Sequence, residues 1–208
     1  MCFNAEVSIT TYTIGVLGCL MLIKNKQENY IPEAIFFLWV VHMQLIEFFL
    51  WKNQPCNVIN QEVSRIGMIV NNMEPIILWF AIILFSEKKL PNWIHAMMTS
   101  YVVAASLYTY NIDDSCTTTS PISEPHLDWR WNQGKYKEIF YAFFLLCCIL
   151  LSIYGLKHSY HAALIFILSF GISFFIYRQH RAVGAMWCFI AAFVPLLLPL
   201  IYKINIVT

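Results

Sequence analysis

Charge is scarce in this chain. Only 12% of its 208 residues are Asp, Glu, Lys or Arg, whereas 59% are hydrophobic and 16% aromatic. A soluble domain holds about 25% charged and about 45–50% apolar residues, so this composition excludes a water-facing surface of ordinary size. The formal net charge of +1 excludes the basic surface that nucleic acid requires. Glycine is also sparse, at 7 residues, which disfavours a phosphate-cradling loop. The chain has no nucleotide loop, no Gly-x-Ser-x-Gly elbow, no His-Glu-x-x-His and no dinucleotide fingerprint. None of the 7 cysteines falls in a Cys-x-x-Cys pair. The last apolar run has no lysine at mid-membrane depth, because Lys203 stands at its extreme end, and a retinal Schiff base is thereby disfavoured. No basic segment precedes the first apolar run and no small-residue cleavage site follows it. That run is expected to stay as a helix rather than leave as a signal peptide.

Long apolar runs are what the chain does have. A bilayer core of about 30 Å needs about 20 apolar residues per helix. The sequence offers seven such runs, at about residues 8–23, 30–51, 64–85, 92–110, 136–156, 160–177 and 182–202. The expected fold is therefore all-α, a single domain over residues 1–208 built as a bundle of seven transmembrane helices. One long polar loop, about residues 111–135, interrupts the short connections.

Seven spans place the termini on opposite sides of the bilayer. The side of the N-terminus (the first side) also carries the connections after the second, fourth and sixth runs. Lys and Arg are divided almost evenly between the sides and lean towards a cytoplasmic second side. The N-terminus is then extracytoplasmic and the C-terminus cytoplasmic. Cys56 and Cys116 both fall in first-side connections and could pair if that side is oxidising. Cys19, Cys147 and Cys148 read as small core residues.

Polar residues converge on the first-side end. Gln44, Glu47 and Trp51 fall on one face of the second run, at i, i+3 and i+7. Asn71, Asn72 and Glu74 enter the third run from the same side, and Pro75 is positioned to kink it. His126, Asp128, Trp129 and Trp131 stand in the long loop, whose aromatic content suggests a cap over the site. Trp187 and Cys188 enter the last run, and Cys2 precedes the first. Ionisable groups facing the interior of a membrane bundle are candidates for function.

The ordered blocks Met1-Cys-Phe-Asn-Ala-Glu6, Met43-Gln-Leu-Ile-Glu-Phe-Phe-Leu-Trp51, His126-Leu-Asp-Trp129 and Met186-Trp-Cys-Phe189 resemble a family of uncharacterised polytopic membrane proteins of giant algal viruses. A related bacterial set opens Met-Cys-Phe-Ser-Ala and shares a His-Gln-Leu-x-Glu block. The resemblance implies a viral membrane protein and brings no activity with it.

Three functional classes fit the residues. In the first, a lipid-directed hydrolase uses Glu47, Glu74 and Cys2 as catalytic groups. Glu47, His126 and Cys188 would hold a divalent transition metal, and Gln44, Asn71, Trp129 and Trp187 would line the binding site. In the second, the same carboxylates serve an ion or proton channel, a transporter or a ligand sensor. In the third, they clamp helices in a structural membrane protein without turnover. The partners expected are the lipid bilayer and a small amphiphilic or ionic ligand, with no nucleic acid.

Overall fold

The computed structural model describes residues 4–24, 30–111, 116–120, 123 and 126–202. Nine α-helices are present among them: α1 (Ala5–Lys24), α2 (Ile31–Lys52), α3 (Val58–Asn72), α4 (Glu74–Phe85), α5 (Asn92–Tyr110), α6 (Lys137–Gly155), α7 (Ser159–Tyr177), α8 (Val183–Ala191) and α9 (Val194–Ile201). The helical class read from the sequence is borne out.

Helix α2 is the central element, packed against α1, α3, α4, α8 and α9. Its 22 residues are apolar almost all round, with Phe36, Phe37, Val40, Val41, Met43, Ile46 and Leu50 buried. A helix hydrophobic on every side belongs in the interior. Helix α1 approaches it closely because Gly15 lacks a side chain. A Cβ there would stand 2.5 Å from a methyl of Val41 and 3.1 Å from the carbonyl oxygen of Ala192. Leu17, Leu20 and Met21 on the outer face of α1, and Ile167, Leu168 and Phe175 on α7, are exposed in the isolated chain and suit contact with lipid.

Four helices are individually long and apolar enough to cross a membrane: α1, α2, α6, and α7 with its 3-10 extension to His180. Two bent pairs, α3 with α4 and α8 with α9, raise the number to six. The seven expected spans are thus not all recovered. The missing one is α5. Its bounds agree with the expected run, but Asn92, His95, Thr99, Ser100, Ser106 and Thr109 lower its apolarity. It nevertheless runs between well-defined levels. Near its start, the Ser86 hydroxyl and the Lys88 ammonium donate to the carbonyls of Gly155 and Leu156, at 2.5 and 2.6 Å. These bonds fix the α4–α5 corner to the α6–α7 corner. Beyond the end of α5, Cys116 is disulfide-bonded to Cys56 in the α2–α3 corner. The pairing that the sequence left open is therefore made.

Helix α3 begins at Val58, six residues before the expected apolar run. Asn57 caps it, its side-chain oxygen accepting from the Asn60 amide at 3.0 Å. Asn60 and Ser64 in its first turns face the long loop rather than lipid. The Asn60 side-chain amide pairs both ways with the Thr117 main chain, at 2.9 Å each, and the Ser64 hydroxyl donates to Thr117 Oγ1 at 3.0 Å. Within the loop, Thr118–Thr119 pairs antiparallel with Leu127–Asp128, Thr118 facing Asp128. A 3-10 turn at Arg130–Gln133 follows and packs on α3.

Candidate functional site

The best-built polar site lies at the break between α3 and α4, where the axis bends by 45°. Pro75 sits in the first turn of α4. It has no N–H to give the Asn71 carbonyl, and its ring would clash with that carbonyl in a continuous helix. The break also releases the carbonyls on either side, and aromatic side chains take them up. Trp39 Nε1 donates to Val70 O at 2.8 Å, and the Tyr101 hydroxyl donates to Asn72 O at 2.9 Å. Their side chains extend the network. Asn72 Nδ2 donates to Thr109 Oγ1 at 3.0 Å, and Asn71 Nδ2 to Asn72 Oδ1 at 3.3 Å, with the Tyr141 hydroxyl 3.5 Å from both asparagines. Buried carbonyls of this kind cost about 1–3 kcal/mol each when left bare, so these aromatic donors hold the break open as a stable structure.

Glu74 is the first residue of α4 and is fully buried. Among the described residues nothing hydrogen-bonds to either of its carboxylate oxygens. It lies within electrostatic reach of Tyr101, Tyr141 and Cys148. The α4 dipole favours negative charge at this end of the helix. The result is a fully buried carboxyl group at a helix N-terminus, with its lone pairs uncommitted among the described residues.

Glu47 is fully buried as well, one face of α2 away from lipid, and its Oε2 accepts from Gln44 Nε2 at 3.0 Å. The shared face that the i, i+3 spacing predicts is thus joined by a hydrogen bond within the helix. Cys188 is fully buried and acts electrostatically on Tyr141, so α8 closes the same region. Trp187 has its indole N–H on Ser169 Oγ at 3.1 Å and its ring among Phe144, Phe166 and Phe170. That is the packing of a core tryptophan joining α7 and α8.

The long loop carries the remaining candidates away from the break. His126, Asp128, Trp129 and Trp131 are all buried, and the two tryptophan rings stack at 4.9 Å. His126 meets Tyr177 edge to face at 5.4 Å. Burial, with the His180 charge adding to it, pushes the His126 imidazole down to about 4 from an ordinary 6.5. Arg181 takes a left-handed φ of 52°, rare for a residue with a side chain, and places its guanidinium 3.9 Å from Asp128. The described part of the loop is thus folded down onto the first-side end of α3 and α7.

One acid that the sequence reading passed over is equally buried. Glu33, in the first turn of α2, is 2% exposed, and no side chain among the described residues hydrogen-bonds to its oxygens. It borders a narrow void with Phe36, Phe37, Leu78, Phe166 and Tyr202. Leu78 is one helical turn beyond Glu74, so an aromatic layer separates the two carboxylates. Beside Glu33, Tyr202 stacks on His158 at 4.2 Å and lies 5.6 Å from Tyr30. A signal for Glu33 exists in the sequence: it precedes Gln44 by 11 and Glu47 by 14 residues, so all three share one helical face. An acid at the start of an apolar run reads as an interfacial residue, which is why it was overlooked.

The expected metal ligands are not brought together. Among the described residues no three His, Cys, Asp or Glu side chains gather closely enough to hold an ion. Glu47 and Cys188 lie inside the bundle, whereas His126 packs in the loop against Tyr177. Glu47, His126 and Cys188 do not form such a group among the described residues. Cys2, expected as a catalytic group, lies outside the described residues, as does Lys203. The comparisons with known proteins add no relative: no protein-family model, curated protein or solved structure matches this chain.

Proposed function

We propose that this multi-pass membrane protein binds and conducts a proton or a small monovalent cation, with Glu74 as the central binding group. Glu74 itself carries the reading: a fully buried carboxylate with both oxygens uncommitted, at the start of a half-helix in a broken span. Broken helices with polar ends at mid-bundle are the form in which membrane transporters expose ion-binding groups. Glu47 and Gln44 lie on the first-side approach. Glu33 and Tyr202 lie on the second-side approach, beyond the layer of Phe36, Phe37, Phe166 and Leu78. A carboxylate on each side of an apolar layer is what stepwise transfer of a cation requires. The hydrolase reading has no comparable support, since among the described residues no ligand cluster accompanies the carboxylates.

The same reading takes α5 as a seventh crossing. It supports this that α5 runs from the level of the α6–α7 corner to the level of the α2–α3 corner, antiparallel to the spanning helix α6. The Cys56–Cys116 bond favours an oxidising, extracytoplasmic first side. A membrane-impermeant maleimide should then label a cysteine introduced at exposed Glu62 in intact cells.

Flux through reconstituted liposomes under a proton or cation gradient tests the function. Wild type should conduct above empty liposomes, and Glu74→Gln should fall to the empty-liposome level while melting as a folded protein. Equal flux in wild-type and empty liposomes would sink the reading, as would an unimpaired Glu74→Gln.

A further inference from the structure

Between α3, the start of α4 and the second half of α5 runs an open groove of about 580 Å³. Its walls are apolar for most of its length, with Ile69, Met73, Ile76, Val102 and Ala105 along them. Two features set it apart from an ordinary crevice between helices. Among the described residues Arg65 is the only charged one lining it, and it is exposed and has no ion-pair partner. Arg65 also lies at a definite depth. The Asn72–Thr109 hydrogen bond sets residue 72 of α3 level with residue 109 of α5. Arg65 is seven residues nearer the first side, about 10 Å along the helix. That is beyond the Tyr110 end of α5, at the height of Thr117 in the loop, to which the neighbouring Ser64 is hydrogen-bonded. Tyr110 is exposed and lines the same mouth, the position an interfacial tyrosine takes.

The groove therefore starts at headgroup depth with a free cation and an aromatic hydroxyl, and continues downward as an apolar channel beside the α3–α4 break. We infer that it is a binding site for a single anionic phospholipid, with the phosphate on Arg65 and one acyl chain laid along Ile69, Met73, Ile76 and Val102. The cavity, within the range of about 300–1,000 Å³ typical of ligand pockets, has room for the phosphate and one acyl chain, the second chain remaining in the bilayer. A guanidinium pairs with phosphate through two parallel N–H donors, so the headgroup charge has a specific partner. A free phosphate ion would have no use for the apolar walls. This inference does not depend on what passes Glu74.

The test is retention of lipid by the full-length protein in mild detergent, read by native mass spectrometry after addition of phosphatidylglycerol or phosphatidylcholine of the same chain length. Wild type should retain phosphatidylglycerol in preference, and Arg65→Gln should lower its retention about fivefold, the effect of about one basic side chain at an anionic interface. Retention of phosphatidylcholine, whose choline already balances its phosphate charge, should fall less. Ser106→Trp, at an exposed position lining the groove, should expel both lipids while the melting temperature stays near that of wild type. Equal retention of the two lipids by wild type would overturn the proposal, and so would an Arg65→Gln protein that keeps its preference. Displacement by inorganic phosphate alone at millimolar concentration would also overturn it, since the apolar walls would then contribute nothing.

Discussion

The molecule contains two bent helix pairs, and they are built differently. At the first break, between α3 and α4, the chain places Asn71, Asn72 and Glu74 around Met73, and aromatic donors from α2 and α5 take up the released carbonyls. At the second, between α8 and α9, the axis bends further, by 56°, yet the residues are Ala192, Phe193, Val194 and Pro195. Here the chain closes on itself, with Ala192 and Phe193 donating to Cys188 O and Ile190 O and Leu196 to Phe193 O. Gly15 of α1 then lets a neighbouring backbone come close. Both breaks have a proline in the first turn of the following half-helix. Proline bends a span, then, but does not make a site. A site arises where the freed backbone is held by side chains from other helices and an uncommitted carboxylate is left beside it.

That contrast can be broken or sharpened by substitution. The largest effect is expected from Cys56→Ser, which releases the strap holding the loop to the corner before α3. Loss of this cross-link should lower stability by about 2–4 kcal/mol. Comparing the melting temperature of oxidised wild type with those of the variant and of reduced wild type checks it, and an unchanged melt would show that the Asn60–Thr117 bonds suffice. Gly15→Val comes next, since its side chain would enter the space of Val41 and the Ala192 carbonyl. Overpacking there should cost about 1–3 kcal/mol, with flux per folded molecule unaltered because the second break holds no site. Tyr101→Phe leaves the Asn72 carbonyl bare at the first break and should cost about 1–2 kcal/mol. The apolar counterpart, Phe193→Leu, should cost less than about 1.5 kcal/mol. Thermal melts of the pair show whether the two breaks are held by different means.

The smallest effect concerns pH. His126 is neutral in the folded loop down to about pH 4, whereas in the unfolded chain it takes a proton near 6.5. The unfolded state therefore binds more protons between these values. Stability of the loop is full above about 6.5 and falls as the pH drops towards 4. Hydrogen exchange in the segment around residues 126–133 should speed up between pH 7 and pH 5, after correction for intrinsic rates. His126→Phe, which keeps the edge-to-face contact with Tyr177, should remove that dependence.

Much of the architecture was legible in the chain itself. The run of residues 30–51 has too few polar positions to be anything but an interior helix, and α2 is that helix. Gln44 and Glu47 could be paired from their spacing alone, because a hydrogen bond at i, i+3 is a local property of a helix. Pro75 announced the bend for the same local reason. The bent last span was not announced, since Pro195 lies in a run whose apolarity hid it. Nor was the early start of α3, because residues 58–63 are too polar to count towards a span and form a helix only against the loop.

The properties that the sequence by itself determined are those set by composition and by neighbours within about one helical turn: the helical class, the membrane-crossing runs, the Gln44–Glu47 pair and the proline bend. Only the tertiary structure decided the rest. It joined Cys56 to Cys116 across 60 residues, brought Trp39 and Tyr101 to the opened carbonyls, buried Glu33, and set His126 edge to face against Tyr177. Helical periodicity specifies which face a side chain occupies, whereas which helix meets that face depends on how the whole bundle packs.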